Sequence, residues 1–506
     1  MKFKSYIVLA LIAVFGSSCK ESWLDINTNP NALPTSSPNF VFTNALNQAA
    51  ANMVSPNETG SYWSGQWSQS NSYILSTTTF AYNFTNGDFN YWDGYYDNLQ
   101  DYQFVIENAD ANNQKFLKGP AKVMKALLCQ QLVDMYGNIP FSDAFKGVKS
   151  LAPKLDDQQA VYTSLITLLD EALVDIKANA FSSAFTSSDI IFKGNNTKWA
   201  KFANSVKLRI LMRQGRVAAK DAYVKTEINK IVTEGSGFIT GEDVASGGSS
   251  FYLATDGKLN PIYERWGYSA AGATQALGRF PRMSEFLINS LKASKDTFRL
   301  KRICYAIGGE SPTAGTSVKA EIAANYIGVP FGQSSGFTSA VCSSIGPSVI
   351  VKGEFNRGFM LMTAAEIQLN LAEAKERYGA GVTLTSDAKT YFEAGIAQSY
   401  RTLGAAASTN TFVGSGIDNY DYVASTNKLK AIATQKWLAL CNFNGLEAWA
   451  EYRKTGFPVT PQSIQVTDAK RPVKLFYPNT EGGSNVNIPK QDAAEIFSGR
   501  LFWDID

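Results

Sequence analysis

The acidic pair Glu366 and Glu373 stands seven residues apart in an alanine-rich stretch, close to two turns of 3.6 residues, and so lies near one helix face. Two carboxylates on one face could serve as general acid and base in glycoside hydrolysis, given a cleft and separated pKa values. The blander chemistry is pairing with Lys or Arg of neighbouring helices, and Lys207, Arg209 and Arg213 are the candidate partners. The chain has 506 residues and no histidine, which excludes Ser-His-Asp and Cys-His nucleophilic sites, imidazole bases and His-held metals. Five cysteines, Cys19, Cys129, Cys304, Cys342 and Cys441, are widely spaced without a CxxC motif, so no metal site is expected. Cys129 and Cys441 fall in apolar helical patterns; Cys304 and Cys342 could pair in an exported protein. Asp134, Tyr136 and Asn138 sit at a helix end, where capping and turn hydrogen bonds are the expected role. No catalytic residue and no cofactor is assigned.

Aromatic residues offer a different chemistry. They make up 12% of the chain, and two groups are interleaved with amides. Trp63, Gln66, Trp67, Gln69, Asn71 and Tyr73 form one; Asn260, Tyr263, Arg265, Trp266 and Tyr268 form the other. A sugar presents C–H patches on a ring face and hydroxyls at its edge, so a Trp or Tyr platform rimmed by Asn, Gln or Arg suits it. Contact with a partner protein, where such residues concentrate as hot spots, and core packing are the alternatives. Tyr91, Trp92, Tyr95 and Tyr96 open a helix and are expected to be buried.

The elements that position these groups read as mostly helical. Helical stripes run through Met124, Leu128, Leu132 and Met135, ending at Gly137 and Pro140; through Leu155 to Ile176, after Asp156 and Asp157; and through Trp199, Phe202, Val206 and Ile210. Further stripes cover Met360 to Tyr378, Ala431 to Cys441 and Leu446 to Arg453. Residues 235–358 are broken by glycine-rich runs, and only 282–293 looks helical there, so this insertion is expected to carry specificity on its loops. The proline-punctuated tail from Phe457 keeps enough aromatics to be packed.

The amino terminus speaks to location. Lys2 and Lys4 precede the apolar run from Tyr6 to Phe15, then Gly16, Ser17, Ser18 and Cys19, the layout of a secretory signal too short to cross a bilayer. The cysteine after small residues predicts removal of 1–18 and acylation of Cys19, although Gly16 stands where a lipobox usually has Leu. Removal leaves 45 basic against 44 acidic residues, so the lipid rather than a polybasic surface would anchor the chain. That balance also gives no nucleic-acid footprint. Residues 19–39, rich in Asn, Pro and Ser, read as a tether, and 40–506 as one helical domain.

Several blocks resemble the SusD-like branch of the SusD/RagB family of outer-membrane nutrient-binding lipoproteins of Bacteroidetes. They are Trp23 to Pro30, Leu132 to Phe141 with Asp143 and Ala144, and Gly194 to Arg213. Then follow Ala364 to Glu366 with Ala372 to Ala374, Gln435 to Leu440, Asn444 to Trp449, Tyr452-Arg453 and Tyr477-Pro478. One departure is Asp296-Thr297-Phe298-Arg299-Leu300, where related sequences often carry Asp-Pro-Arg-Leu. The resemblance implies a tetratricopeptide-like array of helix pairs, a lipid anchor facing outward, no catalytic centre, and capture of an oligosaccharide or peptide for a SusC-like TonB-dependent transporter. A purely structural subunit of that complex and a carboxylate glycosidase are the competing expectations.

Overall fold

The 3.6-residue stripes become long helices in the computed structural model, which describes residues 36–307, 322–405, 411–468 and 470–505. The expected signal peptide, Cys19 and nearly all of the tether lie outside the described residues. Pro38–Asp506 forms one compact unit. Its helices are α1 (Pro38–Trp63), α2 (Trp92–Asn108), α3 (Lys118–Tyr136), α4 (Gln158–Ala178), α5 (Asn196–Arg213) and α6 (Asp221–Glu234). After the insertion's α7 (Glu285–Ala293) and α8 (Thr297–Ile303) come α9 (Ala364–Tyr378), α10 (Ala388–Thr402), α11 (Lys428–Leu440) and α12 (Gly445–Thr455). Successive helices pack in pairs from α1 through α6, α9 packs on α5, α10 and α11, and α12 returns to lie on α1. The fold is therefore mostly α, as expected.

Local chemistry starts these helices where the sequence suggests. The Asp157 carboxylate accepts from the N–H groups of Gln159 and Ala160, and Asn195 accepts from Lys198, each satisfying donors that the first turn leaves without partners. Helix α3 is buried almost all round rather than along a stripe, and polar Gln130, Gln131 and Asp134 share its interior. A helix enclosed on all sides must satisfy each polar group internally.

That requirement builds an ion network at the centre of the array. Arg209 grips Glu366 through Nε (2.6 Å) and Nη2 (2.7 Å), Arg213 meets Glu447, and Lys436 and Lys454 converge on Glu373 and Glu451. The expected pairing of Glu366 and Glu373 with basic residues is what the structure contains. Asp134 corrects an expectation: rather than capping a helix end, it accepts from Gln130 and Tyr162 and lies 3.4 Å from Arg213. Tyr136 departs likewise, its hydroxyl donating to the distant Phe89 carbonyl, whereas Asn138 keeps a capping role by accepting from the Gln158 N–H at the start of α4.

Two short antiparallel ribbons fasten the insertion to this body. Strand β1 (Trp67–Gln69) pairs with β3 (Pro281–Met283), matching Trp67 with Met283, and β2 (Val244–Gly247) pairs with β4 (Gly358–Met362). The insertion holds more helix than expected: besides α7 it contains α8, capped by the Asp296 side chain on the Arg299 N–H, and a single π turn over Tyr263–Gly267. Cys129, Cys304, Cys342 and Cys441 are buried free thiols, so Cys304 and Cys342 do not pair. Among the described residues no helix is long and apolar enough to cross a membrane, and no group of three or more Cys, Asp or Glu could hold a metal.

Candidate ligand-binding cleft

Strand pairing brings the two aromatic groups, some two hundred residues apart in sequence, into one cluster. Trp67 meets Trp266 edge to face at 5.3 Å, and the Ser70 N–H donates to the Phe280 carbonyl beyond the ribbon. Many members of the first group are structural. Trp63 is only 3% exposed, its indole donating to the Thr79 carbonyl and its ring enclosed by Trp449, Phe84 and Phe89. Gln66 is buried and donates to the Trp437 carbonyl, and Trp67 donates to Asn442 Oδ1 at 2.9 Å. Core packing, one of the alternatives read from the sequence, accounts for these three, because each tip finds a partner inside the fold.

Asn71 and Tyr73 stand nearer the surface. Asn71 Nδ2 donates to the Gln333 carbonyl while its Oδ1 accepts from the Phe337 N–H, tying the 333–337 loop down. Tyr73, 39% exposed, donates to the Ala276 carbonyl and packs on Phe280 at 5.7 Å. Beside it Ile74 is 95% exposed, and Leu277 and Val341 also face solvent.

The second group borders a narrow cleft of about 80 Å³, and its Trp266 and Tyr268 are themselves largely buried, 5% and 8% exposed. The π turn presents Trp266 and then Tyr268 toward Gln275, Arg279 and Tyr305. Gly278 permits the 276–279 turn to close on this wall, since any side chain there would strike the Trp266 carbonyl. Asn260 holds the turn by accepting from the N–H groups of Ile262 and Tyr263. Tyr263 itself is buried, packs 5.8 Å from Tyr268 and accepts from the Gly353 N–H. Arg265 does not line the cleft: it pairs with Glu58 at 2.8 Å and lies 5.4 Å from the Trp266 ring. Burial pushes the Glu58 carboxyl up against the pull of Arg265, and burial likewise raises the Tyr305 hydroxyl, which donates to the Ile350 carbonyl.

The lining therefore combines aromatic walls with an amide, hydroxyls and one guanidinium, and neither Asp nor Glu is among its residues. Such a surface can orient hydroxyls and cover apolar ring faces. Gln275, Arg279, Tyr305 and Ser344 escape sequence reasoning because they are single residues spread over seventy positions. The only available signal was the glycine-rich character of the insertion.

Residues 30–478 match the SusD-like family model described as "Starch-binding associating with outer membrane". A SusD homolog from Bacteroides fragilis superposes with a TM-score of 0.73 at 22% identity, covering 93% of this chain and 99% of that one. A SusD homolog from Bacteroides uniformis gives 0.69 at 21%, covering 92% and 100%. A chitin-binding SusD homolog from Flavobacterium johnsoniae gives 0.68 at 21%, covering 92% and 99%. At these identities the likeness is one of fold. No curated protein matches the chain.

Proposed function

The chain belongs to the SusD-like branch of the SusD/RagB family, and from that premise we propose that it is a lipid-anchored capture protein of the outer membrane. It binds an oligomeric nutrient, a glycan before a peptide, and passes it to a SusC-like TonB-dependent transporter. Residues 1–18 are its signal peptide, Cys19 its acylated first residue, 19–39 its tether and 40–506 its binding domain, held on the extracellular side.

The observation that carries this reading is the cleft at Trp266 and Tyr268, whose amide, hydroxyl and guanidinium groups stand around aromatic walls. Asn71 and Tyr73 support it by fixing the neighbouring loops, and Tyr263 and Arg265 by holding the π turn. A family described as starch-binding and a chitin-binding homolog favour a glycan. The buried, ion-paired positions of Glu366 and Glu373 give a glycosidase no support.

Calorimetry of the full chain against neutral oligosaccharide and peptide panels tests the reading. Gln275→Ala is expected to weaken the best ligand about tenfold, equivalent to about 1.4 kcal/mol, without lowering the melting temperature, whereas Tyr268→Ala also removes a buried ring packed on Tyr263 and is expected to lower it. Absence of binding to every panel member, together with no transporter recovered with the chain from membranes, would sink it. A second reading, a contact surface for a protein partner, is favoured at one place: exposed Ile74, Leu277 and Val341 around Tyr73 form an apolar rim. Ile74→Asp would then weaken complex formation and leave ligand affinity intact.

A further inference from the structure

A second cleft opens between the end of α12 and the C-terminal tail, with room of about 310 Å³, at the lower end of small-molecule sites. Four cations line it, Arg453, Lys470, Arg471 and Arg500, and no Asp or Glu does. We propose that this cleft binds an acidic saccharide, its basic residues taking the sugar's carboxylate or sulfate and its aromatic walls the sugar ring.

The two central arginines depart from the pattern of the central ion network, much as buried Arg282 does in donating to the carbonyls of Gly278, Pro281 and Ser339. Arg209, Arg213, Lys436 and Lys454 are buried, and each has a carboxylate within ion-pair distance. Arg453 is equally buried, yet its Nη1 donates only to the carbonyls of Asp134 and Val473, and its Nη2 has no hydrogen-bond partner. Its nearest company is aromatic, the guanidinium lying 3.6 Å from the Trp449 ring centre and 5.0 Å from that of Trp503. Burial lowers it to about 10, which leaves it a cation at neutral pH. Half-buried Arg471 donates to Gln462 Oε1 (3.1 Å), Thr460 Oγ1 (2.7 Å) and the Thr460 carbonyl, all neutral, and sits 4.9 Å from the Tyr452 ring. Three of its five N–H groups are thereby used, so two remain for an incoming oxyanion.

A guanidinium drawn out of water with no carboxylate in ion-pair contact carries a desolvation cost, which the charges of Asp134 and Asp504 offset only in part for Arg453. An anion supplied from outside offsets it, and a planar fork suits a carboxylate or sulfate. Of the outer pair, Arg500 is committed to Asp504, and only Lys470 is loosely held, reaching Asp468 at 3.6 Å with both side chains two-thirds exposed. Tyr82 on the aromatic wall has φ of +55°, a conformation rare for a bulky side chain and concentrated at binding sites. The aromatic wall distinguishes a sugar-borne anion from free phosphate, because only the former has an apolar face to cover.

This inference uses residues distinct from those of the Trp266 cleft, so either can fail alone. The test is calorimetry of the full chain at low salt with tetragalacturonic acid, its methyl ester, a sulfated neutral-sugar oligomer and inorganic phosphate. The acid or the sulfated oligomer is expected to bind about tenfold more tightly than the ester, the scale of one hydrogen bond to a charged group; which one does identifies the anion. Arg471→Gln removes that preference, and Gly241→Ala, in open space, leaves it unchanged. Because Arg471 also holds Thr460, Lys470→Ala provides a variant that breaks no buried contact, expected to weaken the anionic ligand about threefold through loss of field alone. Equal binding of acid, sulfated oligomer and ester overturns the proposal, as does a preference that survives Arg471→Gln in a folded protein or phosphate competing as well as the acidic sugars. Loss of every neutral ligand with the acid preference intact would overturn the reading of the Trp266 cleft and leave this one standing.

Discussion

Glu447 faces Arg213 and Arg209 in the buried network. Burial alone would raise its carboxyl, but the two guanidinium groups prevail and hold it at about 2, against an ordinary 4.5. With the folded value below the unfolded one, its contribution to stability is complete above pH 4.5 and lost as the pH falls toward 2. A shift of that size corresponds to about 3 kcal/mol. Glu373, held down by Lys454 and Lys436 despite its burial, acts in the same direction. Asp134 and Glu366, raised chiefly by burial, act in the opposite direction and are relieved on protonation. The melting temperature should therefore fall steeply between pH 4.5 and 2. Glu447→Gln should cost about 3 kcal/mol at pH 7, because it leaves charge buried without a partner, and should flatten that acid limb; a variant with unchanged acid sensitivity would refute the assignment. The Arg–Glu pairing was legible in the sequence because charges on alanine-rich helices have few other uses. The role of Asp134 was not, because its partner Arg213 is seventy-nine positions away and local Asx bonding is the nearer explanation.

Helices α1 and α12 touch through glycines. A methyl group on Gly60 would fall on the Gly445 carbonyl, and one on Gly445 would fall on the Asn57 carbonyl. Asn57 Oδ1 in turn accepts from the Leu446 N–H, so the start of α12 is satisfied by the side of α1. Gly60→Ala should thus force the first and last long helices apart and lower stability by about 1–3 kcal/mol, the cost of overpacking. Gly241→Ala, with open space around it, should leave the melting temperature unchanged. Stripes of apolar residues foretold α3, α4, α5, α9, α11 and α12 with small errors at their ends, whereas no stripe marked α6 or α10. The short elements were harder: α8 has only seven residues, too few to show a period, and it exists because Asp296 caps it and Arg299 returns to Asp296. The π turn at Tyr263–Gly267 has no sequence signal, since one turn sets no repeat.

At the scale of the whole molecule, Pro38–Asp506 packs as one unit, and in the proposed function attachment to the membrane is assigned to Cys19. The charge left after residue 18 is close to balanced, so no electrostatic contribution to membrane binding would survive loss of the lipid. Cys19→Ala is expected to shift the chain from the membrane to the soluble fraction and to abolish acyl labelling; retention in the membrane with the label absent would refute anchoring at this residue. The sequence by itself determined the mostly helical class, the absence of imidazole chemistry, the family and the two aromatic groups, because composition, period and local motifs are properties of neighbouring residues. Only the tertiary structure decided what those groups do. Trp63, Gln66 and Trp67 became core because β1 meets β3 and α12 returns to α1, and Trp266 and Tyr268, packed into the same core, keep only an edge on the narrow cleft shared with Gln275 and Tyr305. Exposure depends on which distant segments arrive to cover a ring, and no local pattern carries that information.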